Sequence, residues 1–296
     1  MQMSMARRWL LNTYYTVSTP VRWTMEQVRR YRRHEPVQVV FYHRVADDVP
    51  NPWTISTQSF AEQIDWLSQR FDLVSMAEAQ YRIERGKNRR PTAVVTFDDG
   101  YADNMNFALP LLLERKIPVT YFVSTDYIRN GKPFPHDVEL GQPLAPNTVD
   151  DIRRLAEAGI EIGAHTRSHA NVAELDSQQL QHEIVGSKQD LELMLGREVR
   201  YFAFPYGQPQ HLSGEAFQVA QQAGFAGVCS AYGGYNFPGS DSFHLERFHG
   251  DPEFVRFKHW LSVDAMKVFR SPSFDPELTA MPQVHERQEC IVGERG

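Results

Sequence analysis

Thr92-Ala-Val-Val-Thr-Phe-Asp-Asp-Gly-Tyr101 is the stretch that decides the fold, because a β-prone run ends here in two adjacent carboxylates and a glycine. The run before the carboxylates has the β-branched and aromatic composition of a buried strand. Side chains alternate along a regular strand, so Asp98 and Asp99 cannot share one face of it. A strand that gives way to a turn at Gly100 can aim both carboxylates into one pocket. We therefore expect chemistry where this strand stops.

Strands and helices alternate on both sides of this stretch. Further strands are predicted at 37–43, 71–74, 119–123, 160–162, 201–204 and 226–230, and helices at 56–67, 75–84, 104–116, 150–158, 178–195 and 215–223. This rhythm indicates a parallel sheet covered by helices. Periodicity favours neither an open doubly wound sheet nor a closed barrel, and in both the ligands bind at the carboxyl ends of the strands.

The composition is that of a globular protein, with 296 residues, 42 % of them hydrophobic and 23 % charged. We predict a basic N-terminal arm at 1–35, a single α/β domain at 36–270 and a loosely held tail at 271–296. The net charge of −6 argues against a nucleic-acid-binding protein, which would present a basic field. Two cysteines, Cys229 and Cys290, are too few for a disulfide framework.

The arm at 1–35 differs from the rest of the chain in charge. It holds seven arginines against two glutamates, a net +5 that leaves −11 for the remaining residues. Its apolar patch Trp9-Leu10-Leu11 is too short for a signal-peptide core or a membrane span. We therefore expect a cytoplasmic protein whose arm could lie on the inner membrane surface. A helix packed on the domain, or a solvated arm, is the alternative.

A second stretch, Gly163-Ala-His-Thr-Arg-Ser-His169, follows a predicted strand and spaces His165 and His169 four residues apart. That spacing places both rings on one face of a helical turn. Two imidazoles with a carboxylate from another strand end suit Zn²⁺ with one coordination position left open. Ordinary hydrogen-bonded histidines are the alternative. Adjacent carboxylates repel each other, so one of them would ligate while the other accepts a proton.

A third stretch, Phe204-Pro205-Tyr206-Gly207, follows the strand that begins at Tyr201. A backbone N–H exposed at a strand end can stabilise an oxyanion. Taken alone, the tetrapeptide indicates only a turn.

Together the three stretches, which centre on Asp98-Asp99, His165-His169 and Pro205-Tyr206, resemble in their order the polysaccharide deacetylase family, also called the NodB-homology or carbohydrate esterase 4 family. The resemblance covers about 37–268. It implies a distorted (β/α) barrel with about seven parallel strands. The implied activity is removal of acetyl groups from an N-acetylated, N-acetylglucosamine-containing saccharide or polysaccharide, which would be the binding partner.

The resemblance also implies a site. A divalent metal, with Zn²⁺ expected and no other cofactor, would be held by Asp99, His165 and His169. Asp98 would be the general base for a metal-activated water, and the N–H of Tyr206 would share the oxyanion with the metal. A histidine would protonate the departing amine.

The chain departs from the family pattern before its Pro-Tyr pair. Ala203 and Phe204 stand where many members place an arginine. The cation that orients Asp98 must then come from elsewhere, and Arg247 is our candidate. A surface salt bridge is the alternative role for Arg247.

The chain also lacks a clear late Leu-x-x-His motif, which leaves the general acid open. Phe41-Tyr-His-Arg-Val45 resembles members that carry such a late motif at the N-terminal end instead, as biofilm poly-N-acetylglucosamine deacetylases do. His43 is our first candidate for the acid, because it ends the first predicted strand, and His249 is the second. His136, His244 and the other histidines are expected at the solvated surface.

Three other functions compete with deacetylation. One is a catalytically silent carbohydrate-binding or assembly protein on the same fold, and a second is hydrolysis of another non-peptide C–N bond. Two histidines and a carboxylate can also hold Fe(II) in an oxygenase, although the usual His-x-Asp pair is absent. A glycosidase is disfavoured, because the adjacent Asp98 and Asp99 could hardly flank a scissile bond at a separation of about 5–9 Å.

Overall fold

The first strand shows why the sheet is covered on both faces. A computed structural model describes residues 3–270 and 272–279 of the chain. Every residue of the first strand, Val37–Tyr42, is buried, and the same holds for Thr92–Phe97 and Val119–Val123. Strands buried on both faces are typical of a parallel sheet flanked by helices.

The elements alternate as the sequence predicts. Within the described residues the strands are β1 Val37–Tyr42, β2 Arg44–Val45, β3 Thr54–Ile55, β4 Asp72–Leu73, β5 Thr92–Phe97, β6 Val119–Val123, β7 Glu161–Ala164, β8 Tyr201–Ala203, β9 Gly227–Cys229, β10 His244–Leu245 and β11 Arg247–His249. The α-helices are α1 Met5–Val17, α2 Thr19–Arg32, α3 Thr57–Arg70, α4 Met76–Glu84, α5 Ala108–Glu114, α6 Thr125–Asn130, α7 Pro135–Glu139, α8 Val149–Glu157, α9 Ser177–Leu180, α10 Gly186–Leu195, α11 Gly214–Gln222, α12 Phe254–Leu261, α13 Ala265–Arg270 and α14 Pro276–Thr279.

The main sheet nearly closes into a barrel. Its strands are all parallel and follow the order β10-β9-β8-β7-β6-β5-β1-β11, with β4 paired to the start of β5. Only Glu246 separates β10 from β11, so one extended segment pairs with β9 at its start and with β1 at its end. The fold is therefore a distorted (β/α) barrel with seven positions around the barrel, if β10 and β11 are taken as one strand. The prediction of about seven parallel strands is confirmed.

The side chain of Asn236 bonds the backbone at Glu246, where β10 and β11 are interrupted. The Glu246 N–H donates to Asn236 Oδ1 at 2.9 Å, and Asn236 Nδ2 donates to the Glu246 carbonyl at 3.0 Å. The backbone of Asn236 also exchanges two hydrogen bonds with Val37 of β1, at 2.8 and 3.2 Å. The seam of the barrel is thus closed by hydrogen bonds where the strand itself is broken.

Helix α4 covers the end of the barrel at which the strands begin. Its buried residues pack with an inner cluster that includes Val39 and Phe122. Gln80 Nε2 donates to the carbonyls of Ala226 and Ser242, which precede β9 and β10, at 2.7 and 2.9 Å. Because this end is covered, ligands have access from the carboxyl ends of the strands.

Two predicted helices differ from the observed ones. The helix expected at 104–116 is a 3₁₀ turn, Ala102–Met105, followed by α5. Its Asn104 is fully buried and bonds the backbone after β1, which holds this turn out of helical register. The helix expected at 178–195 contains a π-helical turn at Gln181–Val185 between α9 and α10.

The N-terminal arm forms α1 and α2, and neither helix has a fully buried residue. Contacts of α1 with the domain include an ion pair of Arg8 with Glu253 at 2.5 Å and a hydrogen bond from the Tyr14 hydroxyl to Asp264 at 3.4 Å. No helix in the described part of the chain has the length and apolarity needed to cross a bilayer. The tail predicted at 271–296 lies mostly outside the described residues.

Candidate metal centre and active site

A tight turn after β5 separates the directions of Asp98 and Asp99. The Gly100 N–H donates to the Asp98 carbonyl at 2.9 Å, and Asp99 adopts φ 70°. A positive φ costs a residue with a side chain about 1–3 kcal/mol, and such residues cluster at functional sites. Both carboxylates are buried and line the same cavity.

Asp99 lies beside the two histidines of the second stretch. Asp99 Oδ1 is 3.5 Å from His165 Nε2 and 3.2 Å from His169 Nε2. Asp99, His165 and His169 each offer one ligand atom, and these three atoms all lie within 4.8 Å of one another. The structure therefore brings together the three predicted metal ligands.

The protonation of this cluster suits a cation. His165 Nδ1 lies 2.7 Å from the Ala203 carbonyl, which can only accept, so the proton is on Nδ1 and the lone pair of Nε2 points at Asp99. Asp99 Oδ1 is buried and receives no hydrogen bond from the described residues. A buried carboxylate oxygen without a donor, faced by an imidazole lone pair, fits a divalent metal.

Asp98 is paired with the guanidinium of Arg247. Arg247 Nη1 and Nη2 donate to Asp98 Oδ1 and Oδ2 at 2.7 and 2.8 Å, a bidentate geometry that adds both energy and orientation. Arg247 is fully buried, and its other bonds go to Ser230 and Thr96 at 2.9 and 3.2 Å. Burial raises the pKa of Asp98, but the charge of Arg247 lowers it below the usual value. Asp98 is therefore a fixed, ionised carboxylate.

The loop that carries His169 is organised by Glu183. Thr166 and His169 both adopt positive φ, at 60° and 59°. Glu183 Oε2 accepts from the backbone N–H groups of Arg167 and Ser168 at 2.9 Å each, and Oε1 accepts from the Ser168 hydroxyl at 2.8 Å. Glu183 projects from the π-helical turn, and such turns occur frequently at functional sites. This anchor was missed in the sequence, because nothing local links Glu183 to the histidines.

The turn after β8 repeats the turn after β5. The Gly207 N–H donates to the Pro205 carbonyl at 2.6 Å, and Tyr206 adopts φ 62°. Within the described residues no acceptor bonds the Tyr206 N–H. The Tyr206 ring lies 5.0 Å from that of His169, so Tyr206 is next to a predicted metal ligand.

The comparisons with known proteins agree with this geometry. Residues 85–228 match the family model described as polysaccharide deacetylase. This match identifies a polysaccharide deacetylase domain within the chain. YxkH of Bacillus subtilis (strain 168), named as a candidate polysaccharide deacetylase, is 25 % identical over 189 residues, which are 63 % of this chain and 61 % of that protein. A peptidoglycan-N-acetylglucosamine deacetylase of Bacillus cereus is 25 % identical over 42 % of this chain and 39 % of its own length.

The fold of this polysaccharide deacetylase domain is also shared with solved structures. IcaB from Ammonifex degensii superposes with a TM-score of 0.66 at 24 % identity, over 77 % of this chain and 98 % of that one. This likeness supports the barrel fold that the resemblance implied. The family match ends at Val228, so Arg247 and His249 lie outside it.

His43 and His249 form one wall of the deacetylase cavity. Their rings lie 5.9 Å apart, and the Trp53 ring lies 5.0 Å from His43. Asn104 Nδ2 holds the His43 carbonyl at 2.6 Å, another contact that the sequence did not reveal. Burial lowers the pKa of His43, and it lowers the pKa of His249 to about 3. Both imidazoles are therefore neutral at pH 7 in this state of the protein.

The expectation of a solvated position is wrong for His244, whereas His136 is half-exposed. His244 is 8 % exposed and bonds Ser230 at 2.8 Å. His136 lines the cavity, where its Nε2 lies 3.0 Å from the Tyr101 hydroxyl. That hydroxyl donates to the fully buried Asp137 at 2.8 Å. The Pro- and Gly-rich segment 131–147 thus folds inward through Asp137, a burial that its polar sequence does not indicate.

The cavity of the deacetylase domain is larger than the metal centre needs. Its volume is about 1030 Å³, and it extends from the carboxylates and histidines to α1 and α13. At that far end the lining includes Leu11, Tyr14, Trp260, Met266 and Arg270. The cavity can therefore hold more than one sugar ring or an attached group.

Proposed function

We propose that this protein is a metal-dependent hydrolase that removes acetyl groups from an N-acetylated saccharide containing N-acetylglucosamine. The observation that carries the proposal is that the two neighbouring carboxylates have different partners. Asp99 faces two imidazoles, while Asp98 is held by Arg247. The Bacillus cereus relative, named for deacetylation of peptidoglycan N-acetylglucosamine, supports the same class of substrate.

Asp99, His165 and His169 would hold the metal, for which Zn²⁺ is our proposal. When bound, such a metal lowers the pKa of a coordinated water and polarises a carbonyl. Asp98 accepts the proton of the attacking water, since Arg247 keeps this carboxylate ionised and fixes its two oxygens. The N–H of Tyr206 donates to the oxyanion that develops on the acetyl carbonyl.

We propose His43 as the group that delivers a proton to the departing amine, with His249 as its rival. Both line the cavity, and His43 follows β1, whose neighbour in the sheet is the Asp98 strand. A neutral imidazole must first take up a proton before it can act as this acid. The proton that Asp98 receives is the available source.

The test is acetate release from N-acetylglucosamine oligomers. Protein stripped with a chelator should be inactive, and added Zn²⁺ should restore release. Asp98→Asn should lower the rate by about 10²–10⁴, the range of acid–base assistance. Exposed Asp150→Asn on α8 is the matched control and should be fully active.

Three results would contradict the proposal. Normal release by Asp98→Asn would remove the assigned base. A protein that binds glycan without turnover, whatever metal is supplied, would indicate a silent carbohydrate-binding protein. Activity that requires oxygen and Fe(II) would indicate an oxygenase.

A further inference from the structure

Helices α1 and α2 expose an unusual number of large apolar side chains. Trp9 is 67 % exposed, Val17 73 % and Tyr31 89 %. Others on the same two helices are Met5, Leu10, Val21, Trp23 and Val28, each between 46 % and 85 % exposed. So many exposed large apolar side chains on two adjacent helices are rare on a monomer and indicate an interaction site.

These helices form a built surface with internal bonds of its own. Ser18 between them keeps right-handed helical angles, and the Arg22 N–H donates to its carbonyl at 3.0 Å. Pro20 lacks the N–H that would continue the ladder. The Tyr15 carbonyl nevertheless accepts from Thr19 Oγ1 at 2.9 Å and from the Arg22 guanidinium. The two helices therefore follow one another directly with their backbone groups bonded.

The charge of this surface selects its partner. Seven arginines lie among the apolar side chains against two glutamates. In the described residues the side chains of Arg7, Arg32 and Arg33 form no ion pair, whereas Arg8 and Arg30 do. A second copy of the same surface would be repelled by this charge. Arginine, tryptophan and tyrosine together are typical of helices that lie in the interface of an anionic bilayer.

The same surface is continuous with the rim of the catalytic cavity. Leu11 and Tyr14 of α1 line the cavity, as do Met266 and Arg270 of α13. Across the rim, Met266 is 55 % exposed and Phe269 86 % exposed. The mouth of the cavity therefore opens between two helices that both expose apolar and cationic side chains.

We propose that α1, α2 and α13 dock this protein on an anionic lipid bilayer, with the mouth of the cavity at the lipid surface. For the substrate, the inference rests on the proposed function: a saccharide anchored in that bilayer through an anionic lipid would reach the metal centre from the membrane side. The docking itself depends only on the surface, so the two can fail separately.

The first experiment measures cosedimentation of the full chain with vesicles. Binding is expected to vesicles in which about a third of the lipid is phosphatidylglycerol, and to be far weaker to pure phosphatidylcholine. Trp9→Ser should weaken binding about tenfold, the scale of burying one aromatic side chain. Replacing Arg7, Arg32 and Arg33 by Gln should weaken it about fivefold for each arginine that lies near the surface.

Matched controls lie on α10 and directly after it, outside the proposed docking helices. Leu193→Ser on α10, where Leu193 is 81 % exposed, and Arg197→Gln should leave vesicle binding unchanged. Circular dichroism of each variant verifies folding. Equal binding to both kinds of vesicle, unchanged binding by Trp9→Ser, or no binding with a dimer in solution would each overturn the docking surface.

The second experiment separates docking from chemistry. Trp9→Ser should release acetate from a water-soluble oligosaccharide at the wild-type rate, yet be about tenfold slower on a lipid-linked N-acetylated saccharide in vesicles. Equal losses on both substrates would contradict the membrane route. Wild-type vesicle binding with no acetate release from either substrate would overturn the proposed function and leave the docking surface intact.

Discussion

Arg247 forms a bidentate ion pair with Asp98 across 149 positions of the chain, and both side chains are buried. A buried carboxylate without its cation is strongly destabilising. Arg247→Met should therefore lower the free energy of unfolding by about 3–5 kcal/mol at pH 8. Arg153→Met, which removes an exposed pair with Asp150, should cost less than about 1 kcal/mol.

The pH dependence of this variant gives a second measurement. In the wild type the pKa of Asp98 is lowered, so the stabilisation is present above the unfolded pKa of about 4 and is lost as the pH falls through the folded value. In Arg247→Met the largest charge that opposes burial is gone, so burial raises that pKa. The variant should then gain stability relative to wild type as the pH is lowered from about 8 to 5. Urea unfolding at several pH values checks this, and parallel curves for both proteins would contradict it.

Asp98→Asn and Asp99→Asn should separate catalysis from metal binding. Asp99 faces His165 and His169, whereas Asp98 contacts Arg247. Asp98→Asn should keep its bound metal while acetate release falls, and Asp99→Asn should lose both. Metal content after dialysis, measured beside the rate, tests the assignment. A metal-free Asp98→Asn protein would show that the two roles are not divided.

His43→Gln and His249→Gln should differ in their dependence on the leaving group. A general acid assists a departing amine but is hardly needed for a phenolate, which leaves without a proton. If His43 is the acid, His43→Gln should slow deacetylation of an N-acetylated sugar by about 10²–10⁴ and barely affect an aryl acetate. His249→Gln should slow both substrates little. If His249→Gln lost this rate on the N-acetylated sugar and His43→Gln did not, His249 would be the acid.

Glu183→Gln should weaken metal binding although Glu183 touches no ligand atom. Glu183 fixes the backbone of Arg167 and Ser168, next to His169. Loss of such supporting contacts typically costs 10–100-fold in metal affinity. Competition with a chelator of known affinity measures this loss, with exposed Glu157→Gln as the control. An unchanged metal affinity would mean that the loop keeps its shape without the carboxylate.

Short apolar runs predicted the parallel sheet covered by helices, whereas the closed barrel was predicted only by the family resemblance. Asp98 and His165 were recognisable because each stands directly after such a run. The contacts of Asn104, Glu183 and Asp137 could not be predicted, because each side chain bonds a segment that is distant in the chain. Their burial follows from tertiary packing, and no local pattern records it.

His244 was expected at the surface but is buried, and the cause is related. A histidine near charged residues indicates a surface position, yet His244 begins the segment that closes the barrel. Its ring is buried against Ser230 because β10 pairs with β9. Closure of a barrel joins the two ends of the sheet, so the neighbours of this segment were beyond the reach of any local pattern.

The seam at His244–His249 also sets the order in which the site can form during synthesis. At about 5–20 residues per second, the ribosome makes Arg247 roughly 7–30 seconds after Asp98. Until then the Asp98 carboxylate has no buried cation, and burying it alone would be costly. The nascent barrel must therefore stay open beside β1 until the segment of β10 and β11 inserts between β9 and β1. Pairing of Asp98 with Arg247 and closure of the barrel are therefore one event, completed only when the C-terminal part of the domain leaves the ribosome.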